Sequence, residues 1–193
     1  HQRGSTAPVQ VGTELSFPTL TFHRRNHLVT NHETADIGAT SFARWLGELD
    51  PAEPVSLYLH IPFCHHICPY CGFYKHQPGK LANRAFVDAL LQEVDVRRKG
   101  EKFTLRTIFF GGGTPSLLSP SHLDALCQGL SERFDLRSLE EWTIEANPAT
   151  FDLRKATLLR ERGVNRVSLG LQSFQEPTLQ TLGRDHTPEN AVE

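Results

Sequence analysis

Hydrophobic and polar residues alternate cleanly over residues 55–61, in the segment VSLYLHI. Successive side chains of a β-strand point to opposite faces, so this period of two predicts a strand. One face carries Val55, Leu57, Leu59 and Ile61, and the other carries Ser56, Tyr58 and His60. The segment is expected to bury its apolar face against a hydrophobic core.

Three more strand-like segments follow this strand, and helical patterns separate them. The strands are predicted at RTIFFGGG, EWTIEANP and NRVSLGLQ, and the helices at RAFVDALLQEV, SPSHLDALCQGLSERF and LRKATLLRERG, with another helical stretch from Glu176. Ser119 is a suitable N-cap with Pro120 at the first helical position, and Gly163 suits a helix end. This alternation predicts parallel strands with crossover helices, in an α/β sheet or barrel.

The region before the first strand has a weaker pattern. Residues 1–38 predict an irregular or extended arm, and the apolar spacing within residues 40–49 predicts a short amphipathic helix. We therefore divide the chain into an N-terminal arm with a short helix, residues 1–54, and a core domain, residues 55–193. Four strands are too few to close a barrel. The core is thus expected to be a partial (β/α) barrel, truncated after about four strands, from the N-terminal part of a longer protein.

Composition narrows the class of protein. The chain has 193 residues, 20 Lys and Arg, and 22 Asp and Glu, which gives a formal net charge of −2. This balance does not suggest a nucleic-acid partner. No apolar run approaches the roughly 20 residues of a membrane span, and no signal peptide is recognisable. A cytoplasmic location is therefore expected, where clustered thiols bind metals more often than they form disulfides.

Three of the four cysteines lie within eight residues. Cys64, Cys68 and Cys71 occupy the segment CHHICPYC, whereas Cys127 lies in a helical pattern that suits a small core residue. Unrelated buried thiols are a poor explanation for this crowding. A structural zinc site needs a fourth ligand, which only His65 or His66 offers inside the same short loop. An iron–sulfur cluster held by three thiolates, with one iron open, is the favoured interpretation.

A glycine-rich segment follows the second strand of the alternating series. In GGGTP, the glycines permit close approach of the backbone to a ligand, although a tight strand-to-helix turn is an alternative explanation. The segment lacks the Gly-Lys-Ser/Thr ending of a phosphate-binding loop. A ligand role is favoured because the cysteine segment also follows a strand.

Polar side chains on the predicted strands point to the same region. Glu145 lies near the end of its strand, where a buried carboxylate needs a partner, either an arginine in a structural ion pair or a ligand. Gln172 ends the next strand on its polar face, opposite Val167, Leu169 and Leu171. Ligand sites of parallel α/β barrels gather at the carboxyl ends of strands. We therefore expect Tyr58, Glu145 and Gln172 to converge.

The Cys-x3-Cys-x2-Cys spacing resembles the signature of the radical S-adenosyl-L-methionine (SAM) enzymes. The segments LYLHIPFC, FFGGGTPSLL, TIEANP and VSLGLQSF together resemble the oxygen-independent coproporphyrinogen III oxidases and their haem-chaperone relatives. The resemblance covers about two thirds of the chain, from Ser56 onward. It implies a radical SAM barrel in which Cys64, Cys68 and Cys71 hold a [4Fe-4S] cluster and SAM binds the fourth iron.

The resemblance also implies the ligands of SAM. It assigns Tyr70 to the adenine, Gly112, Gly113 and Thr114 to the methionine end, Arg184 to the region of the carboxylate, and Glu145 to the same cofactor. Tyr58 and Gln172 are added to this cofactor-binding set because their strand faces are expected to converge with that of Glu145. From the sequence alone, Arg184 is better explained as a surface charge, and His60, His65, His66 and His76 as ordinary loop or strand residues. The implied chemistry is reductive cleavage of SAM to methionine and a 5′-deoxyadenosyl radical, with electrons from a flavodoxin or ferredoxin.

Three branches of this family share these motifs. The oxidases act on a porphyrinogen, the chaperones bind haem, and anaerobic enzymes degrade haem. The oxidases have a fourth nearby cysteine where this chain has Phe73, and CPY, IEANP, LGLQSF and LGRDH resemble the chaperones more closely. The long segment before the first strand resembles the oxidases instead. The chaperone branch is narrowly favoured, and a zinc-binding module remains the remote alternative.

Overall fold

A computed structural model describes residues 20–23, 53–79 and 82–189 of the chain. The strands of these ranges are β1 (Leu20–His23), β2 (Val55–Ile61), β3 (Leu105–Gly112), β4 (Glu141–Ala146) and β5 (Arg166–Leu169). The α-helices are α1 (Ala82–Arg98), α2 (Pro120–Arg133), α3 (Leu153–Glu161) and α4 (Glu176–Thr181). Short 3-10 turns at Pro115–Leu117 and Pro148–Thr150 follow β3 and β4.

The strands form one sheet in the order β1-β2-β3-β4-β5, and β2 to β5 run parallel. The predicted α/β class with crossover helices is confirmed. Across the described residues the sheet remains open, so it is a partial barrel of four parallel strands with one added antiparallel strand. Because β2 to β5 are parallel, their carboxyl ends meet at one edge of the sheet, where ligand sites of this architecture gather.

The hydrophobic pattern of the sequence does not predict strand β1. It pairs antiparallel with β2, from Leu20 opposite Leu59 to His23 opposite Ser56. A segment of four residues is too short for its alternation to be distinguished from an irregular arm. It is recognisable as a strand only from its pairing with β2. The helix predicted within residues 40–49 lies outside the described residues.

The core lies where the sheet packs against α1, α2 and α3. The four apolar residues of β2 are buried, and α1 contributes Val87, Leu90 and Val94 to the same core. The predicted cap of α2 is confirmed, because the Ser119 hydroxyl accepts a hydrogen bond from the His122 amide at 3.3 Å. Cys127 is fully buried in this core, as predicted.

Strand β5 differs from its prediction at the carboxyl end. It ends at Leu169, so Gln172 lies in the following turn rather than on the strand, with a positive φ of 67°. Val167 and Leu169 are 43% and 40% exposed because β5 is the outer strand of the sheet. The strand therefore lacks the buried face on which its alternation depends.

Helices long and apolar enough to cross a membrane are absent from the described residues.

Candidate cofactor site

The three clustered cysteines lie on one loop that follows β2. Backbone hydrogen bonds close its base, from the Cys64 amide to the His76 carbonyl at 3.0 Å and from the His76 amide to the Pro62 carbonyl at 2.8 Å. A turn from Cys68 to Cys71 shapes its middle, where the Cys71 amide donates to the Cys68 carbonyl at 3.2 Å. Cys64 is buried, Cys68 and Cys71 are half-buried, and all three thiols are free.

The glycine-rich segment after β3 packs directly on this cysteine loop. The Gly113 amide donates to the Ile61 carbonyl at 2.8 Å, and the Thr114 amide donates to the Phe63 carbonyl at 2.7 Å. A Cβ atom on Gly113 would lie 2.7 Å from the Phe63 oxygen and 3.0 Å from the Cys64 sulfur. Gly113 is therefore required for the two loops to meet.

Glu145 is the carboxylate at the end of β4. Its Oε2 atom accepts a hydrogen bond from the Gly112 amide at 3.2 Å. Burial raises the pKa of Glu145, while this hydrogen bond and the nearby His60 oppose the shift. Among the residues that the structure describes, Glu145 bonds to a backbone amide and not to the arginine of a structural ion pair, so its second carboxylate oxygen is available to a ligand.

Arg184 reaches the site from the turn after α4. Its Nη2 atom donates to the Gly170 carbonyl at 2.7 Å, and its Nη1 atom lies 3.6 Å from the Cys68 sulfur. The interpretation of Arg184 as a surface charge is therefore wrong. Tyr70 lies beside Arg184 and Cys68 and is 47% exposed, and partial burial raises the pKa of its phenol.

One cavity of about 330 Å³ is shared by these groups. Its walls include ten of the eleven predicted site residues, namely Cys64, Cys68, Tyr70, Cys71, Gly112, Gly113, Thr114, Glu145, Gln172 and Arg184. This volume is within the range of small-molecule sites. A larger groove of about 680 Å³ between α2 and α3 contains no predicted site residue.

Tyr58 is the predicted residue that does not line the cavity. Its hydroxyl pairs with His60 Nδ1 at 3.0 Å, and its ring stacks on Phe109 with centroids 5.9 Å apart. Burial is the main cause of its raised pKa, and Glu145 adds to the shift. Tyr58 therefore lies outside the cavity wall, and its contact with a cofactor stays a prediction.

The arrangement of the three thiols distinguishes between a zinc ion and an iron–sulfur cluster. In the part of the chain that the structure describes, no three His, Cys, Asp or Glu side chains are placed to hold a single metal ion. The three thiols nevertheless line one cavity. An iron–sulfur cluster binds each thiolate at a different iron, so thiols around a cavity fit a cluster better than a zinc ion.

The sequence profile of the radical SAM superfamily matches residues 58–193. The chain belongs to this superfamily. Among curated proteins it is 43% identical over 135 residues to the heme chaperone HemW of Lactococcus lactis, covering 70% of this chain and 35% of the chaperone. It is 34% identical over 157 residues to the oxygen-independent coproporphyrinogen III oxidase of Cereibacter sphaeroides, covering 80% of this chain and 35% of the oxidase.

The solved structure of the coproporphyrinogen III oxidase HemN from Escherichia coli, described as a radical SAM enzyme, has a similar fold. The TM-score is 0.72 at 30% identity, covering 81% of this chain and 36% of that structure. The partial radical SAM fold predicted from the sequence is thus confirmed. The chain spans about a third of the length of these relatives.

Several cavity residues of this radical SAM chain were not singled out from the sequence. Lys75, Asn147, Ser168 and Asp185 are four of these residues. His65 and His66, which the sequence analysis interprets as ordinary loop residues, also line the cavity. A single polar residue in a loop forms no spacing pattern, so the sequence does not identify Lys75 or Asp185. Asn147 and Ser168 lie at the carboxyl ends of β4 and β5, as the predicted site residues do, and this position could have identified them. His60 connects β2 to the cysteine loop, because its Nε2 atom bonds the Tyr74 carbonyl at 2.9 Å.

Proposed function

We propose that this chain is the cofactor-binding part of a [4Fe-4S]- and SAM-dependent protein of porphyrin or haem metabolism. The observation that carries the proposal is the single cavity at the carboxyl ends of the parallel strands. It brings Cys64, Cys68 and Cys71 together with the glycine-rich loop and Glu145. The similarity to heme chaperones and coproporphyrinogen oxidases supports the porphyrin or haem as the larger ligand.

The cysteine loop would hold the cluster. Its thiols are unpaired, and main-chain hydrogen bonds fix the base of the loop. When bound, the cluster and SAM would together supply one-electron cleavage of SAM to methionine and a 5′-deoxyadenosyl radical. The protein would bind and orient the two groups and exclude water from them. Free thiols also agree with a cytoplasmic location, which we retain as part of the proposal.

The walls of the cavity offer suitable partners for SAM. The Glu145 carboxylate would accept a hydrogen bond from the ammonium group of the methionine end, beside the backbone of Gly112, Gly113 and Thr114. The Arg184 guanidinium would attract the carboxylate, because a cation and a carboxylate form a charge-assisted hydrogen bond. Tyr70 offers an exposed ring for the adenine, and Gln172 and Tyr58 complete the proposed set.

Among the family branches, the haem chaperone is favoured. The identity is 43% to a heme chaperone and 34% to an oxidase, and Phe73 is 70% exposed where the oxidases have a further cysteine. An oxidase that decarboxylates a porphyrinogen is the second candidate, since 80% of the chain aligns with one. A haem-degrading enzyme is the third. A flavodoxin or ferredoxin is the proposed electron donor in each case.

Metal content tests the cofactor. After anaerobic reconstitution, the chain should hold about four irons, as one [4Fe-4S] cluster requires. Cys64→Ala, Cys68→Ala and Cys71→Ala should each abolish this iron, while Cys127→Ala, the matched core thiol, should retain it. One equivalent of zinc without iron would contradict the proposal.

Turnover separates a carrier from an enzyme and requires the full-length protein. The protein would be incubated anaerobically with SAM, a reductant and coproporphyrinogen III, and the products separated by chromatography. A chaperone should bind haem in a titration and leave the porphyrinogen unchanged. Repeated formation of protoporphyrinogen would instead establish the oxidase.

A further inference from the structure

Lys155 connects two loops of the cofactor site from outside the cavity. It lies on α3, and its ammonium donates to the Ser116 carbonyl and to the Thr150 carbonyl, both at 2.7 Å. The first carbonyl belongs to the loop after β3, and the second to the loop after β4. Burial lowers the pKa of Lys155, while Asp152 opposes the shift.

Side-chain hydrogen bonds join the same two loops around Lys155. The Ser116 and Thr150 hydroxyls lie 2.6 Å apart, and the Asn147 amide donates to the Ser116 hydroxyl at 3.1 Å. Ser116 is fully buried. The junction is thus a half-buried polar network around the buried Ser116 hydroxyl, where an unpaired group costs more than it would at the surface.

The cavity side of these loops carries the groups proposed to bind SAM. There the Gly112 amide, at the end of β3, donates to Glu145 at the end of β4 over 3.2 Å. Lys155 makes the corresponding connection on the opposite side, and Thr150 and Asn147 belong to both the junction and the cavity wall. The spacing of the two loops is therefore fixed from both sides.

We infer that Lys155 is a positioning residue for SAM, which sets the distance between the glycine-rich loop and Glu145. The inference rests on the proposed function of the cavity. Without the ammonium, the carbonyls of Ser116 and Thr150 lose a charged donor, and the loops lose a common anchor. The effect should be largest at the methionine end of SAM, because the hydrogen bonds of Lys155 run to the two loops that follow the strand ends of Gly112 and Glu145.

Three substitutions on α3 test this role. Lys155→Met removes both donations, whereas Lys155→Arg keeps a cation with several donors. Arg160→Met is the matched control, because Arg160 is exposed on the same helix. Each reconstituted protein would be measured for iron content, thermal midpoint, and affinity for SAM and for 5′-methylthioadenosine, which has the adenosine but lacks the amino-acid end.

Lys155→Met should weaken SAM binding about tenfold, the equivalent of one charge-assisted hydrogen bond. Its iron content and its affinity for methylthioadenosine should equal those of the wild type. Lys155→Arg should recover most of the SAM affinity, and Arg160→Met should change nothing. If Lys155→Met does not fold, Ser116→Ala, which removes only the hydroxyl of the junction, should show the same selective loss.

Two outcomes overturn the inference alone. One is SAM affinity that stays unchanged in Lys155→Met, or in Ser116→Ala when that variant replaces it. The other is an equal loss of methylthioadenosine affinity, which would make Lys155 a general support of the fold. A wild-type protein that binds iron but no SAM, or binds neither, would instead contradict the proposed function itself.

Discussion

The backbone of Gly113 lies against the cysteine loop so closely that a Cβ atom would meet the Phe63 carbonyl oxygen at 2.7 Å. Real Cβ contacts are not this short. The obstructing Phe63 oxygen belongs to the backbone and also accepts a hydrogen bond from the Thr114 amide. The glycine-rich loop and the thiol loop are therefore one packed unit.

Gly113→Ala is expected to abolish the iron site as well as SAM binding. The added methyl group must displace the backbone beside Cys64, which moves a proposed ligand. Iron content after anaerobic reconstitution measures the loss. Gly79→Ala is the control, because its Cβ would meet no atom within 4 Å. Full iron loading in Gly113→Ala would show that the loops can separate without cost to the cluster.

Glu145 should make the stability of the cofactor-free chain depend on pH. Burial raises its pKa above the ordinary 4.5, so the folded state binds a proton that the unfolded state has released. The free energy of unfolding should therefore fall as pH rises from about 4.5 through the raised value. Glu145→Gln should lack this decline, which urea titrations between about pH 4 and pH 7 would detect. Parallel curves for both proteins would exclude Glu145 as the cause.

Arg184→Lys is expected to weaken SAM binding almost as much as Arg184→Ala, by about tenfold or more. The guanidinium contacts the Gly170 carbonyl with one nitrogen and the Cys68 sulfur with another, which a single ammonium does not reproduce. Binding of SAM to the reconstituted variants measures the effect, with Arg154→Lys, at an exposed position of α3, as the control. Wild-type affinity in Arg184→Lys would mean that only the charge matters.

Lys75 should influence the reduction potential of the cluster. Its ammonium donates to the Cys71 carbonyl at 2.6 Å and to the Phe73 carbonyl at 3.2 Å, and it lines the cavity. A nearby positive charge favours the more negative, reduced state, so Lys75→Met should lower the potential. Anaerobic redox titration of the two proteins gives the comparison, with iron content as the check on loading. An unchanged potential would leave Lys75 a purely structural role in the loop.

The sequence predicts the parallel strands and the cysteine loop because both depend on local patterns. Alternation identifies β2, and the spacing of three thiols is readable within eight residues. Arg184 is different, because its contact with Cys68 joins residues 116 positions apart. A charged residue in a loop has no periodicity, so only the resemblance to a family assigned it to the site.

The boundaries of β5 show a second limit of the sequence. Its predicted length assumed that alternation continues to Gln172, but the strand ends at Leu169 and the chain turns through a positive φ at Gln172. A non-glycine residue in this region is held there by its surroundings. Here the Arg184 side chain holds the preceding Gly170 carbonyl, and His186 bonds the Leu171 carbonyl at 3.1 Å.

The unequal burial of the three clustered thiols implies an order of chemical attack. Cys64 is only 6% exposed, and burial raises the pKa of its thiol, so little of the reactive thiolate is present. Cys68 and Cys71 are half-buried and adjacent across a turn. Iron-free protein should therefore be alkylated first at this pair, which mass spectrometry of timed iodoacetamide labelling would reveal. Air exposure before iron loading would damage the same two positions, and Cys64 would be the last of the three to be lost.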